Sequence, residues 1–185
     1  GVLRQLLAQG QIAAFLAPRA HLVAYPVRDC SALNLVAIGR QPQSGRSAEL
    51  PDGFKRFSPD LAAFLHSLKD WTQWPIHTVS PSQRWSEGKR VLLIGDAAHA
   101  IAPYGAQGAA MAIEDAWTLA ACLAAHRDDL SAAVVSYEKH RRPRIRRIAA
   151  RTSANRFAYH ASGPAAWVRD ALFRARGQKM LDGLD

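Results

Sequence analysis

Residues 90–116 read Arg90-Val-Leu-Leu-Ile-Gly-Asp-Ala-Ala-His-Ala-Ile-Ala-Pro-Tyr-Gly-Ala-Gln-Gly-Ala-Ala-Met-Ala-Ile-Glu-Asp-Ala116. Val91 to Ile94 form a continuous apolar run, the pattern of a strand buried on both faces. Gly95 and Asp96 then put one carboxylate at the carboxyl end of that strand, where ligands settle in open α/β sheets. A turn containing Pro103, Gly105 and Gly108 follows, and after it an apolar helix from Ala106 to Ala125. The first free N–H groups of that helix, near Ala106 to Ala109, would point back over the strand end. A helix N-terminus is a partial positive charge with unpaired donors, suited to an anion or an electron-rich ring edge. Apolar nearly all round, the helix is expected to be central and buried.

Composition bounds the rest. A chain of 185 residues with 49% hydrophobic content can bury an ordinary core. The sequence offers no run of ~18 apolar residues, so no spanning segment is expected. Residues 1–7 are too short and too polar at their flanks for a signal peptide. Cys30 and Cys122 lie far apart in apolar surroundings, which reads as buried free thiols in a reducing cytoplasm. The net charge of +9 concentrates in Lys139–Arg147 and Arg151. Only Tyr137, Phe157 and Tyr159 stand nearby, a poor interleaving for base stacking. A solvated basic helix, or one facing acidic surface elsewhere in a longer protein, fits better than a nucleic-acid interface.

Outward from the quoted stretch, Ile12–Leu16, Leu22–Val27 and Leu33–Ile38 read as antiparallel strands, with Arg28 to Ser31 as a hairpin loop. Leu3 to Leu7 reads as a helical end, and Gln41 to Asp52 as a loop. Ser58 and Pro59 open a helix to about Leu68, with Leu61, Phe64, Leu65 and Leu68 on one face. Ile76 to Val79 suggests a strand, and Trp85 to Lys89 a turn. Asp129 or Ser131 caps the next helix, which Pro143 kinks or restarts. Gly163-Pro164 begins a last helix ending near Gly177.

The run from Gly95 to Ala116 resembles the Gly-Asp motif of the single-component FAD-dependent aromatic hydroxylases, the group that includes salicylate and hydroxybenzoate hydroxylases. Gly-Asp-Ala-Ala-His, then Pro, Ala-Gln-Gly-Ala and Ile-Glu-Asp-Ala stand in register. The resemblance extends more weakly from Ile12 to Ala161, through His21-Leu-Val-Ala-Tyr-Pro-Val27 and Tyr137-Glu-x-x-Arg-Arg-Pro-Arg144. It implies that Asp96, after Gly95, holds the ribityl chain of FAD. Pro103 would lie against the isoalloxazine, and the backbone from Gly105 through Ala106, Gln107 and Gly108 would meet its pyrimidine edge. NADH or NADPH and oxygen would be co-substrates in hydroxylation of an aromatic, phenolic-acid substrate.

His21, Val23 and Tyr25 alternate along a strand and so share a face. By the resemblance, His21 and Tyr25 would line the substrate pocket, where a proton acceptor assists phenol deprotonation; by alternation alone they read equally as a sheet-edge hydrogen-bonder and a core aromatic. Gln107 could meet the substrate or the flavin edge, or simply cap its helix. His99 reads as a residue that shapes the turn by bonding to local backbone. Glu114 and Asp115 sit in an apolar helix and need partners if buried, with Arg141, Arg142 and Arg144 as candidates. No spacing here suggests a metal site.

The Gly-x-Gly-x-x-Gly turn that binds the ADP half of FAD is absent from the sequence. The chain therefore reads as a C-terminal portion of a longer enzyme, inactive alone. The expected fold class is α/β (α+β within this chain): a partial antiparallel substrate sheet, then the Gly-Asp strand and C-terminal helices of an FAD-binding domain. The motif divides it into 1–85 (substrate sheet), 86–126 (strand–turn–helix) and 127–185 (C-terminal helices). The strand at 91 would need parallel neighbours from the N-terminal half of the same protein, or self-association as a homodimer to cover the sheet. No membrane partner is expected. The alternatives are a non-catalytic flavin or small-molecule binding module and a basic nucleic-acid-interacting domain, the latter marked by steep salt dependence.

Overall fold

The structure, a computed structural model, describes residues 9–39, 50, 52–88 and 91–176. Contacts divide the chain into two compact units, residues 1–73 with 157–185, and residues 74–156. The boundaries read from the motif follow chemistry and do not coincide with these units. The helical end at 3–7 and nearly all of the loop at 41–52 lie outside the described residues.

The first unit is built on an antiparallel sheet, β1 (Ala13–Ala17), β2 (Ala20–Val27) and β3 (Ala32–Gly39), in that order. Its strands are those the alternating runs predict. At the hairpin, Arg28, Asp29 and Cys30 all adopt positive φ, and the Ser31 N–H donates to the Arg28 carbonyl at 3.0 Å. Cys30 is therefore exposed at a turn, contrary to the expected buried thiol, while Cys122 is buried as expected.

Pleating sends Ala20 and Leu22 to one face, where they pack with Phe54 and Leu65; all four are fully buried. Phe54 comes from a 3₁₀ turn, Asp52–Arg56, and Leu65 from α1 (Pro59–Ser67). The turn closes on the sheet through Gly53, since a Cβ there would stand 2.6 Å from the Cβ of Ala20. Burial of Leu22, Phe54 and Leu65 contributes roughly 1.5–3 kcal/mol each. Phe64, expected on the packed face of α1, is 38% exposed.

In the second unit, β4 (Ser86–Glu87) and β5 (Val91–Leu92) form a two-stranded antiparallel sheet, extended by the Leu93 N–H donating to the Trp85 carbonyl at 2.7 Å. The expected strand at 91–94 is thus shorter and is not buried on both faces: Val91 is 52% and Ile94 38% exposed. Among the described residues its one ladder partner is β4, and none of them pairs with its second edge. Residues 76–79 form no strand; the Val79 N–H instead donates to the Ala100 carbonyl at 2.9 Å.

The helices are α2 (Asp96–His99), α3 (Gly108–Ala125), α4 (Leu130–Tyr159) and α5 (Pro164–Arg176). Asp129 caps α4, its Oδ1 accepting the N–H groups of Ser131 and Ala132 at 2.9 and 3.1 Å. Pro143 neither ends nor restarts α4. One lost N–H is outweighed by packing of Tyr137, Ile145 and Ile148, which share a core with Trp85, Ala98, Met111, Cys122 and Ala133.

Helix α3 overturns the expectation of an all-round buried helix. Met111, Asp115 and Cys122 are its buried residues, whereas Ile113 is 72% and Trp117 81% exposed. Its buried residues form a stripe that meets α4 and the corner at Gly95 to His99, and the opposite alanine-rich face stays open. With 18 residues and a mean hydropathy of 1.2, α3 is long and apolar enough to cross a membrane by length and composition, against the sequence expectation. Its two carboxylates are nevertheless bonded to arginines of α4, the arrangement of a packed helix.

Candidate functional site

The quoted stretch folds around a sharp corner. Gly95 sits at φ 57° and ψ −142° ahead of α2, a conformation that only glycine adopts readily. A Cβ at Gly95 would also press the Ala112 Cβ of α3 at 3.2 Å. The corner leaves Asp96 exposed as the first residue of α2. A Cβ at Gly108 would lie 3.9 Å from Oδ1 of Asp96, so this carboxylate stands over the first turn of α3.

The turn between α2 and α3 presents Pro103 and Ala106 at the surface, with Gly105, Gln107 and Gly108 half-buried. Tyr104 beneath it is buried, and its carbonyl accepts the Asn155 Nδ2 of α4 at 3.1 Å. Ala106 adopts a positive φ of 50°, strained for a residue with a side chain. Gln107 is the N-cap of α3 but makes no side-chain capping bond, and the helix ladder begins with the Met111 N–H donating to its carbonyl at 3.0 Å. The amides of Gly108, Ala109 and Ala110 precede that first bond and are the donors that a helix start leaves without a helical acceptor.

Asp115 braces this corner from within. Its Oδ2 accepts the Gly95 N–H at 2.8 Å and the His99 Nε2 at 2.6 Å, and its Oδ1 accepts the Arg141 Nε at 2.7 Å. Arg141 also donates to the Met111 carbonyl at 3.1 Å and to Glu114, whose other oxygen takes Arg144 at 3.0 Å. Burial raises the Asp115 carboxyl, but the hydrogen bonds from His99, Gly95 and Arg141 overcome it and hold the group below the ordinary range. Glu114 is held low as well, chiefly by its bond from Arg144. Of the three arginines that charge and position offer as partners, the structure uses Arg141 and Arg144, while Arg142 bonds Glu138 at 2.7 Å and lies over the Trp85 ring. The acidic surface facing this part of the basic run is thus within the chain. His99, expected to bond local backbone, bonds a side chain of α3 instead.

His21 and Tyr25 belong to the other compact unit, on the sheet face opposite the Leu22 core. His21 is 1% exposed; its Nδ1 lies 3.0 Å from the Nε2 of His160, with the Tyr159 ring edge-on to it. Burial first, then the proximity of His160, lower its pKa to about 4. Tyr25 is half-buried, and its hydroxyl accepts the Nδ2 of Asn34, its cross-strand partner, at 2.6 Å. Sequence reasoning misses Asn34, although a polar residue between Leu33 and Leu35 is the signal that marks it.

The residues around Asp96 fit a flavin. A carboxylate accepts from hydroxyls, an uncapped helix turn donates to ring carbonyls, and Gly108 keeps the space between them free of a side chain.

Comparison with known proteins gives the same answer independently. Residues 56–152 match the FAD binding domain family model. The chain is 37% identical over 168 residues to 3-hydroxybenzoate 6-hydroxylase of Klebsiella oxytoca, covering 87% of this chain and 42% of that protein. The enzyme of the same name from Polaromonas naphthalenivorans (strain CJ2) is 34% identical over 169 residues, covering 88% and 42%. A crystal structure of Klebsiella pneumoniae HpxO complexed with FAD and uric acid matches with a TM-score of 0.74 and 26% identity, over 97% of this chain and 48% of that one. The chain thus spans less than half the length of these relatives. With the family model covering more than half of it, and the corner at Gly95-Asp96 inside the matched span, the chain belongs to the FAD binding domain family.

Proposed function

We propose that the chain works as the C-terminal part of a longer cytoplasmic flavoprotein hydroxylase, which uses FAD, NAD(P)H and oxygen to hydroxylate a phenolic acid. The observation that carries this reading is the exposed Asp96 carboxylate poised over the uncapped first turn of α3. Hydroxybenzoate hydroxylases among the relatives support the substrate class, and two free cysteines suit a reducing compartment.

FAD, when bound, supplies the redox chemistry that activates oxygen. Gly95 and Asp96 would hold its ribityl chain. Pro103, Gly105 and Ala106 would form the surface under its ring, and Gln107 with the Gly108 amide would face its pyrimidine edge. Donors fixed at a helix terminus stabilise negative charge without reorganising, which is the protein's electrostatic share of the work. On the sheet, Tyr25 would anchor the aromatic substrate through its hydroxyl, oriented by Asn34. His21 would line the same wall as a neutral hydrogen-bond partner, since the burial and the His160 neighbour that keep it uncharged also make it a weak base.

The test is Asp96→Ala in the intact protein that carries this segment, followed by titration with FAD. The affinity should fall by ~1–3 kcal/mol, the cost of losing one partner of a hydrogen bond. A folded variant that binds FAD as tightly as wild type would remove Asp96 from the cofactor site.

A further inference from the structure

We infer that Asp115 is the positioning residue of the candidate site: it clamps both ends of helix α2 and so sets where the Asp96 carboxylate stands over the first turn of α3. The inference rests on the reading of Asp96 as a contact to FAD.

Helix α2 has four residues. One turn fixes several dihedral angles for about one hydrogen bond, so such a helix does not hold its own orientation. The restraint comes from outside. One oxygen of Asp115 receives the N–H of Gly95, which precedes α2, and the Nε2–H of His99, which ends it, at 2.8 and 2.6 Å. The other oxygen is held by Arg141 Nε at 2.7 Å, and the same guanidinium grips the Met111 carbonyl in the first turn of α3 at 3.1 Å. The corner, the cofactor-facing end of α3 and α4 therefore share one carboxylate. Asp115 is wholly buried, with His99 and Arg141 each 4% exposed, so water does not substitute for any of these bonds.

The chemistry requires aspartate. Three donors converge on the side chain, and two carboxylate oxygens accept all of them. An asparagine has one acceptor oxygen and would turn an NH₂ group against a donor. Glu114 is the natural comparison, because its carboxylate bonds the same Arg141 but directs its other oxygen to Arg144 rather than to the corner.

The test uses the intact protein that carries this segment, in four variants: Asp115→Asn, Asp96→Ala, the two together, and Glu114→Gln. In cofactor-free protein, Asp115→Asn should speed amide hydrogen exchange across Gly95 to Ala100 about ten-fold or more, while Ala133 to Tyr137 in α4 keep wild-type protection. Glu114→Gln should leave the corner unchanged. In FAD titrations, Asp115→Asn should weaken binding about 10–100-fold. The double variant should bind no more weakly than Asp96→Ala alone, because a residue that acts through another adds nothing once that other is gone. Wild-type exchange at Gly95 to Ala100 in Asp115→Asn, or additive losses of affinity in the double variant, overturns the inference. If Asp96→Ala alone binds FAD normally, the reading of Asp96 fails and the exchange pattern decides the clamp by itself. Should Asp115→Asn not fold, His99→Asn removes one clamp bond and must speed exchange at the corner in smaller measure; unchanged exchange there counts against the clamp.

Discussion

Nδ1 of His21 lies 3.0 Å from Nε2 of His160, two imidazoles brought together across 139 residues of chain. Two histidines in contact tolerate each other only while they do not both carry charge. Burial and this neighbour lower the His21 pKa from 6.5 to about 4, so below pH 6.5 the unfolded chain takes up a proton that the folded chain refuses. The stabilisation is therefore complete above about pH 6.5, falls as the pH drops toward about 4, and changes no further below that. The loss over this window is about 3 kcal/mol. Urea unfolding at neutral pH and near pH 4.5 measures it, and His21→Gln should remove most of the difference. An equal pH dependence in that variant assigns the effect to other groups.

Gly95→Ala separates two costs at the corner. The backbone at φ 57° and ψ −142° is strained for any residue with a Cβ, at ~1–3 kcal/mol. The contact to Ala112 at 3.2 Å is the smaller cost. Thermal unfolding should show this destabilisation, and a second change, Ala112→Gly, should not restore it. Full rescue would mean that crowding against α3, and not backbone strain, sets the cost.

Removing Arg141 should be severe. Arg141→Met leaves the Asp115 carboxylate buried without its cation, at ~3–5 kcal/mol. Glu114→Gln concerns a half-exposed pair and should cost under ~1 kcal/mol. Equilibrium denaturation ranks the two. A mild Arg141→Met would mean that His99 and Gly95 alone satisfy Asp115.

On the proposed reading, Tyr25→Phe in the intact protein should raise the apparent KM for the aromatic acid and divert NAD(P)H oxidation into peroxide, with FAD content unchanged. His21→Ala, which removes a neutral hydrogen-bonding group and not a strong base, should on the same reading lower the hydroxylation rate only about ten-fold, the worth of one hydrogen bond. Coupled assays of NAD(P)H consumption, product and peroxide decide both. Wild-type coupling in the two variants returns these residues to a structural role on the sheet.

Much of this fold is local and therefore legible in the sequence. The strands of the first unit follow from alternation, α1 from Ser58-Pro59, and the corner from Gly95-Asp96. What sequence misjudges depends on neighbours distant along the chain. The apolar run Val91–Ile94 reads as fully buried because hydrophobicity reports a tendency toward burial, while burial itself needs a covering surface. The same reason explains α3, whose Trp117 face is open. In the candidate site, charge narrows the partners of Glu114 and Asp115 to three arginines. Assigning Arg142 to Glu138 needs the helical geometry of α4, where the two stand at i and i+4. The His21–His160 contact leaves no local trace at all.

The shared carboxylate of Asp115 has a consequence for the order of folding. Its bond to Gly95 spans 20 residues and its bond to Arg141 spans 26. Closure of such loops costs entropy before the contact returns any energy. The corner that carries Asp96 is therefore complete only once α4 has supplied Arg141 to the shared carboxylate. A nascent chain has no finished corner until synthesis has passed Arg141, so on the proposed reading of Asp96 a cofactor would meet its site only in chains whose helical layer is already assembled.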